Sequence, residues 1–159
     1  MTLHAFSDWL SSTPFSQTIQ VTSWAIPGIQ TVHLLGIAAL FSSALVVSLR
    51  IAGLGLASEP LPAVAHRFIR AIWLLLLVLL ASGALLIVAE PGRTIPNPVF
   101  YAKMIMLAVV ICITLWLSRV SSRELQRPSG IHVAAAAFSM LLWIGIIFAG
   151  RFIAYVESY

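Results

Sequence analysis

Residues 24–49 read WAIPGIQTVHLLGIAALFSSALVVSL, with no Asp, Glu, Lys or Arg among them. An α-helix rises about 1.5 Å per residue, so roughly 20 apolar residues cross the hydrocarbon core of a bilayer. This run is long enough to cross and too long for one strand. It also lacks the alternation of a barrel strand, and backbone polar groups in lipid must be satisfied within the segment, which leaves the helix. Three further stretches read the same way, at roughly 71–89, 99–117 and 132–149.

Composition agrees. The chain is 60% hydrophobic and 9% charged, where soluble domains average about 45–50% and 25%, and its mean hydropathy is +1.02. These values describe an integral membrane protein. The predicted fold class is all-α: one membrane domain over 1–159, a four-transmembrane-helix bundle with a short N-terminal interfacial amphipathic helix. Little chain remains for loops, so no separate catalytic domain is expected.

Residues 1–23, MTLHAFSDWLSSTPFSQTIQVTS, have no basic start, carry Asp8 and lack an apolar core of signal-peptide length, so they are expected to stay on the mature protein. Leu3, Phe6 and Leu10 recur at helical spacing beside Trp9. Thr13 then offers an N-cap, with Pro14 at the first helical position. A short interfacial helix is expected, followed by a second that turns into span one.

The net charge of +4 comes from nine basic residues scattered between the apolar runs rather than gathered in one patch. Their expected partners are membrane lipids, not nucleic acid. Arg50, Arg67, Arg70, Arg119, Arg123 and Arg127 flank one side, whereas Arg93, Lys103 and Arg151 flank the other. The bias toward Arg and Lys in cytoplasmic loops then puts both termini outside. The single cysteine, Cys112, excludes an internal disulfide and a two-cysteine redox motif and reads as a small buried filler. Gly36, Ala39, Ser43, Ser82, Gly83, Ala134, Ala137 and Gly145 are small enough to let helices approach closely. EPGRTIPNP, residues 90–98, reads as a turn-rich cap.

His33 lies nine residues into span one, about 14 Å from its start. An ionisable side chain at that depth is a candidate functional residue. Gln30, His33, Gly36 and Ile37 share a face by three-and-four spacing, and this stripe is expected to point into the bundle. Span three enters from the same side and brings Met106, about 12 Å below Pro98 and on the face of Lys103, near the level of His33. Imidazole and thioether together suit the axial positions of haem b or a copper(I) site. A structural imidazole bonded to Gln30 or a neighbouring helix, and a contact with a quinone or lipid, are equally open readings of His33. His66 and His132 fall near the opposite ends of their spans, and His4 lies outside them, so no second histidine matches His33 in depth.

Glu90, Arg93, Lys103 and Arg151 gather at the outer span ends. They read either as a polar rim, with Glu90 paired to Arg151 or Lys103, or as an anion site with three cations to one carboxylate. Trp9, Trp24, Tyr101, Tyr155 and Tyr159 read as an interfacial belt. Enzyme signatures are missing: there is no His-Glu-x-x-His, no Gly-x-Ser-x-Gly and no phosphate-cradling glycine loop. Asp8, Glu59, Glu90, Glu124 and Glu157 all lie outside the span centres, which argues against a carboxylate proton relay. Ile26, Pro27 and Gly28 sit in a first turn rather than at a midplane break, so a transporter reading is weak.

WAIPGIQTVHLLG, SLRIAGLGL, NPVFYAKM and WIGIIFAGRFIAY, with the lead-in WLSSTPFS, resemble a family of small bacterial four-helix membrane proteins filed as a domain of unknown function. The resemblance runs along nearly the whole chain and singles out His33, Arg50, Lys103, Arg151 and Tyr155. Ser48 departs from the pattern, in which an acidic residue precedes Leu-Arg. The resemblance implies a bacterial inner-membrane bundle rather than an activity. The expected function is a small non-enzymatic integral membrane protein with a polar or ligand site around His33. The alternatives are a haem b or copper redox protein using His33 and Met106, and an accessory subunit with a membrane protein partner or a homo-oligomer.

Overall fold

The computed structural model describes residues 3–54, 60–119, 129–153 and 155. Among them are seven helices and no strand: α1 Leu3–Ser11, α2 Pro14–Val21, α3 Ala25–Ile51, α4 Leu61–Ala89, α5 Pro91–Thr94, α6 Pro98–Arg119 and α7 Gly130–Phe152. The four long ones, α3, α4, α6 and α7, are each long and apolar enough to cross a membrane. Glu59, Arg123, Glu124, Arg127, Glu157 and Tyr159 lie outside the described residues.

Local chemistry sets the helix ends. At the end of α3, Gly53 takes φ +78°, its N–H donates to Arg50 O and the Leu54 N–H to Leu49 O. This left-handed closure is one that glycine adopts without steric cost. α4 starts at Leu61, about ten residues before the apolar run that marks it in the sequence. His66, Arg67 and Arg70 interrupt that run, but Leu61 and Ala65 are buried against Val47 and Ile51. Packing therefore extends the helix past the part that hydropathy can see. Before α6, the buried Asn97 accepts the Val99 N–H through Oδ1 at 2.9 Å and donates from Nδ2 to Ile153 O at 3.3 Å. At the start of α7, Ser129 and His132 form a reciprocal cap, and the imidazole stacks on Trp116.

Thr13 caps α2 and Pro14 opens it. Ser7, Ser16 and Ile19 turn inward, whereas Leu3, Phe6, Trp9, Phe15, Val21 and Trp24 are exposed. Much of the apolar surface of α1 and α2 thus faces away from the protein, the arrangement of helices lying on a bilayer surface. Two of the inward groups close α4. Ser16 Oγ donates to Val88 O at 2.7 Å and Gln20 Nε2 to Ala89 O at 3.0 Å, satisfying carbonyls that a helix end leaves open.

α3 packs along α4, α6 along α7, and α3 also meets α7, whereas α4 and α6 touch only briefly. One layer ties all four together. Leu40, Leu76, Val110 and Trp143 are 0%, 3%, 0% and 4% exposed and belong to one cluster. Gly36 and Ser43 also face inward. Ala39, Ala134, Ala137 and Cys112 are exposed. The reading of Cys112 as a buried filler is therefore corrected: it lies on the outer surface of α6, where lipid rather than protein surrounds a membrane helix.

Candidate functional site

Seven residues are nearly two helical turns, so positions seven apart share a face about 10 Å apart along the axis. Stepping that distance from Leu40, Leu76, Val110 and Trp143, toward the end that carries α1 and α2, reaches His33, Gly83, Lys103 and Gly150. This second layer holds two long polar side chains and two glycines. A Cβ placed on Gly83 would lie 3.4 Å from His33 Cε1, and one on Gly150 would lie 3.5 Å from Lys103 Nζ. Each polar side chain therefore lies against a glycine of the adjacent helix, at a distance where a Cβ would make ordinary van der Waals contact.

His33 is half-buried, and its Nδ1 lies 2.8 Å from Ser82 Oγ on α4. The Ser82 hydroxyl has one proton, and it is directed at Val78 O, 2.7 Å away. With the hydroxyl donating to Val78 O it accepts from His33 Nδ1–H and leaves a lone pair on Nε2; in the other tautomer Ser82 donates to Nδ1 and Nε2 carries the proton. Among the described residues Nε2 has no hydrogen-bond partner. Lys103 is half-buried on α6. Its ammonium has neither a carboxylate nor a hydrogen-bond acceptor among the described residues.

Met106 and Gln30 do not join this layer. Met106 is half-buried one turn further in, about 4.5 Å beyond Lys103. It packs against the shared core, its Sδ 2.9 Å from where a Gly145 Cβ would stand. Counting from the span ends matched Met106 to His33; counting from the shared core matches Lys103. Gln30 is exposed. The inward stripe of α3 runs through Gly36, Leu40 and Val47, and Gln30 falls to one side of its extension past His33. Of the two partners expected for a structural His33, Gln30 or a neighbouring helix, the structure gives the second, Ser82 on α4.

The rim also differs from the expected pairing. Glu90 binds Arg93 at 3.2 Å, three residues on along the chain, rather than Arg151 or Lys103. Arg151 lies over the Tyr155 ring at 6.0 Å, and Trp9, Trp24, Tyr101 and Tyr155 are exposed. His4 and His66 are exposed, and His132 is occupied as a helix cap. Among the described residues no three His, Cys, Asp or Glu side chains gather as a metal centre would need. Sequence reasoning noted Ser82 and Gly83 only as small residues. The available signal was that Ser82 is the one polar position in residues 71–89.

Residues 8–156 match a family of unknown function, DUF6644, and the chain belongs to it. No curated protein and no solved structure matches.

Proposed function

We propose that this membrane bundle is a non-enzymatic binding protein whose site is the layer of His33, Ser82 and Lys103. The observation that carries this reading is chemical. Two polar groups on half-buried side chains, His33 Nε2 and Lys103 Nζ, stand at one level among apolar helices without partners among the described residues. Unpartnered polar groups in such surroundings are costly, and a ligand bearing complementary polar groups offsets that cost. The Arg and Lys distribution supports an orientation with both termini outside and the family resemblance a bacterial inner membrane, which together put this layer in the outer-leaflet half. The brief contact between α4 and α6 offers the least obstructed side for a ligand arriving from lipid.

A second reading, haem b, draws on the tautomer in which Nδ1–H donates to Ser82, because a ligating imidazole is oriented through its other nitrogen. Lys103 would then supply a positive charge to pair with an acidic side group of the macrocycle. A bare copper ion is less well served, since Lys103 adds positive charge beside the ligand and Met106 is engaged with α7.

The test is the detergent-purified protein, wild type and His33→Ala, compared by oxidised and reduced absorption spectra, elemental analysis and mass spectrometry of an organic extract. A bound organic ligand lost in His33→Ala while the bundle still elutes as wild type establishes the site. A Soret band lost in the variant establishes haem. An empty, well-folded wild-type bundle that copurifies with another membrane protein refutes both and makes it an accessory subunit.

A further inference from the structure

The formal charge of the chain is divided unevenly between its two ends. Segments 50–70 and 119–127, which join the spans on one side, hold six arginines and two glutamates, a surplus of four. On the other side Asp8, Glu90 and Glu157 stand against Arg93, Lys103 and Arg151, and the charges cancel. The whole net charge of +4 therefore sits at one end. Whichever pairs form there, two glutamates leave four arginine charges unbalanced.

Two of these arginines are placed on lipid-facing surfaces. Arg70 is exposed on the side of α4 that also carries the exposed Leu74 and Leu77, one and two turns along. It stands twenty residues from Glu90, about 30 Å along the helix, which is the thickness of a hydrocarbon core. Arg119 is exposed at the end of α6, on the side that carries Cys112 and Trp116. Counted from the shared core layer, Arg70 lies about 9 Å and Arg119 about 13.5 Å toward this end. Both guanidinium groups thus belong where apolar chains give way to phosphates. Neither has an ion pair or a hydrogen bond among the described residues.

Guanidinium binds phosphate through paired N–H donors. Every phospholipid offers a phosphate, so net charge is what discriminates. A zwitterionic headgroup brings its own cation and leaves the surplus standing, whereas each singly charged anionic headgroup removes one unit of it. The opposite end supplies the contrast: α1 and α2 present Phe6, Trp9 and Phe15 and contain no Lys or Arg, so their contact with lipid is indifferent to headgroup charge.

We infer that the arginine-rich end of the bundle, through Arg70 and Arg119, binds anionic phospholipid headgroups in preference to zwitterionic ones.

The experiment is native mass spectrometry of the detergent-purified full chain, titrated with dioleoylphosphatidylglycerol or dioleoylphosphatidylcholine. The anionic lipid is expected to bind at least about tenfold more tightly. One interfacial arginine is worth about fivefold, so Arg70→Gln combined with Arg119→Gln should weaken the anionic lipid by about tenfold or more and leave the zwitterionic one within about twofold. Lysine at both positions keeps the charge, and Arg151→Gln alters the balanced end; both proteins should stay within about threefold of wild type. Circular dichroism and elution volume check folding. If the double Gln variant does not fold, the two single variants replace it, each with an expected loss of about fivefold. Equal binding of the two lipids, an undiminished preference in the folded Gln variants, or a loss as large in the Lys variant or in Arg151→Gln would overturn the proposal.

Discussion

Two layers of this bundle occupy equivalent positions on the same four helices and do opposite things. Leu40, Leu76, Val110 and Trp143 fill their level from all four sides. Seven residues away, His33 and Lys103 lie against Gly83 and Gly150, so two helices supply large polar groups and two supply glycines beside them. The first layer has the composition of a stability core. The second gives up apolar contact and holds polar groups within apolar helices, one bonded to Ser82 and the other without a partner among the described residues. The difference teaches that the inner layer holds the four helices together, whereas the polar layer contributes one interhelical bond, from His33 to Ser82.

The largest expected effect breaks the inner layer. Leu40→Ala should destabilise the bundle by about 2–5 kcal/mol through lost contact and an unfilled cavity, read as a shift in reversible unfolding by detergent denaturant. The equivalent change one layer out, His33→Leu, should alter stability by less than about 1 kcal/mol, because interhelical hydrogen bonds in membranes average about 0.6. Equal losses in the two variants would make the polar layer structural and dissolve the contrast.

Ser82→Ala sharpens the comparison within the polar layer. It leaves His33 Nδ1 without its partner and should cost about 1 kcal/mol, while weakening ligand binding because the imidazole loses its orientation. Unchanged binding in a folded Ser82→Ala protein would show that the Ser82 bond does not set the ring. Smallest of all, Gly145→Ala places a methyl against Met106 Sδ, the mobile part of a flexible side chain. Stability should change by no more than about 0.5 kcal/mol, and ligand binding should be unaffected, since Met106 lies outside the polar layer. A loss of binding there would return Met106 to the site.

Periodicity and hydropathy made the four long helices legible, because a bilayer demands uninterrupted apolar runs. Thr13 and Pro14 likewise announced the start of α2. The first ten residues of α4 were hidden because His66, Arg67 and Arg70 mask a helix held by tertiary packing of Leu61 and Ala65. In the polar layer, the depth of His33 was readable by counting, but its partner was not. Gln30 is near His33 in sequence and exposed in the fold, while Ser82 is distant in sequence and bonded. Which face of α3 meets α4 depends on helix rotation, and a mostly apolar helix carries little sequence signal for rotation. Lys103 was read both as a rim charge, because its distance from Pro98 is short, and as part of the inward polar face with Gln30, His33 and Met106. The shared buried layer puts it, rather than Met106, seven residues out beside His33.

The bonds from Ser16 to Val88 and from Gln20 to Ala89 also order events during synthesis. These partners are separated by 72 and 69 residues, and the N-terminal member of each leaves the ribosome first. The cap therefore closes only after the chain has emerged through the end of α4. At that moment α2, α3 and α4 can form a closed hairpin, while α6 and α7 are still to come, and their own close packing makes a second hairpin. His33 belongs to the first hairpin and Lys103 to the second. The polar layer is therefore a product of their docking, the last step in building the molecule.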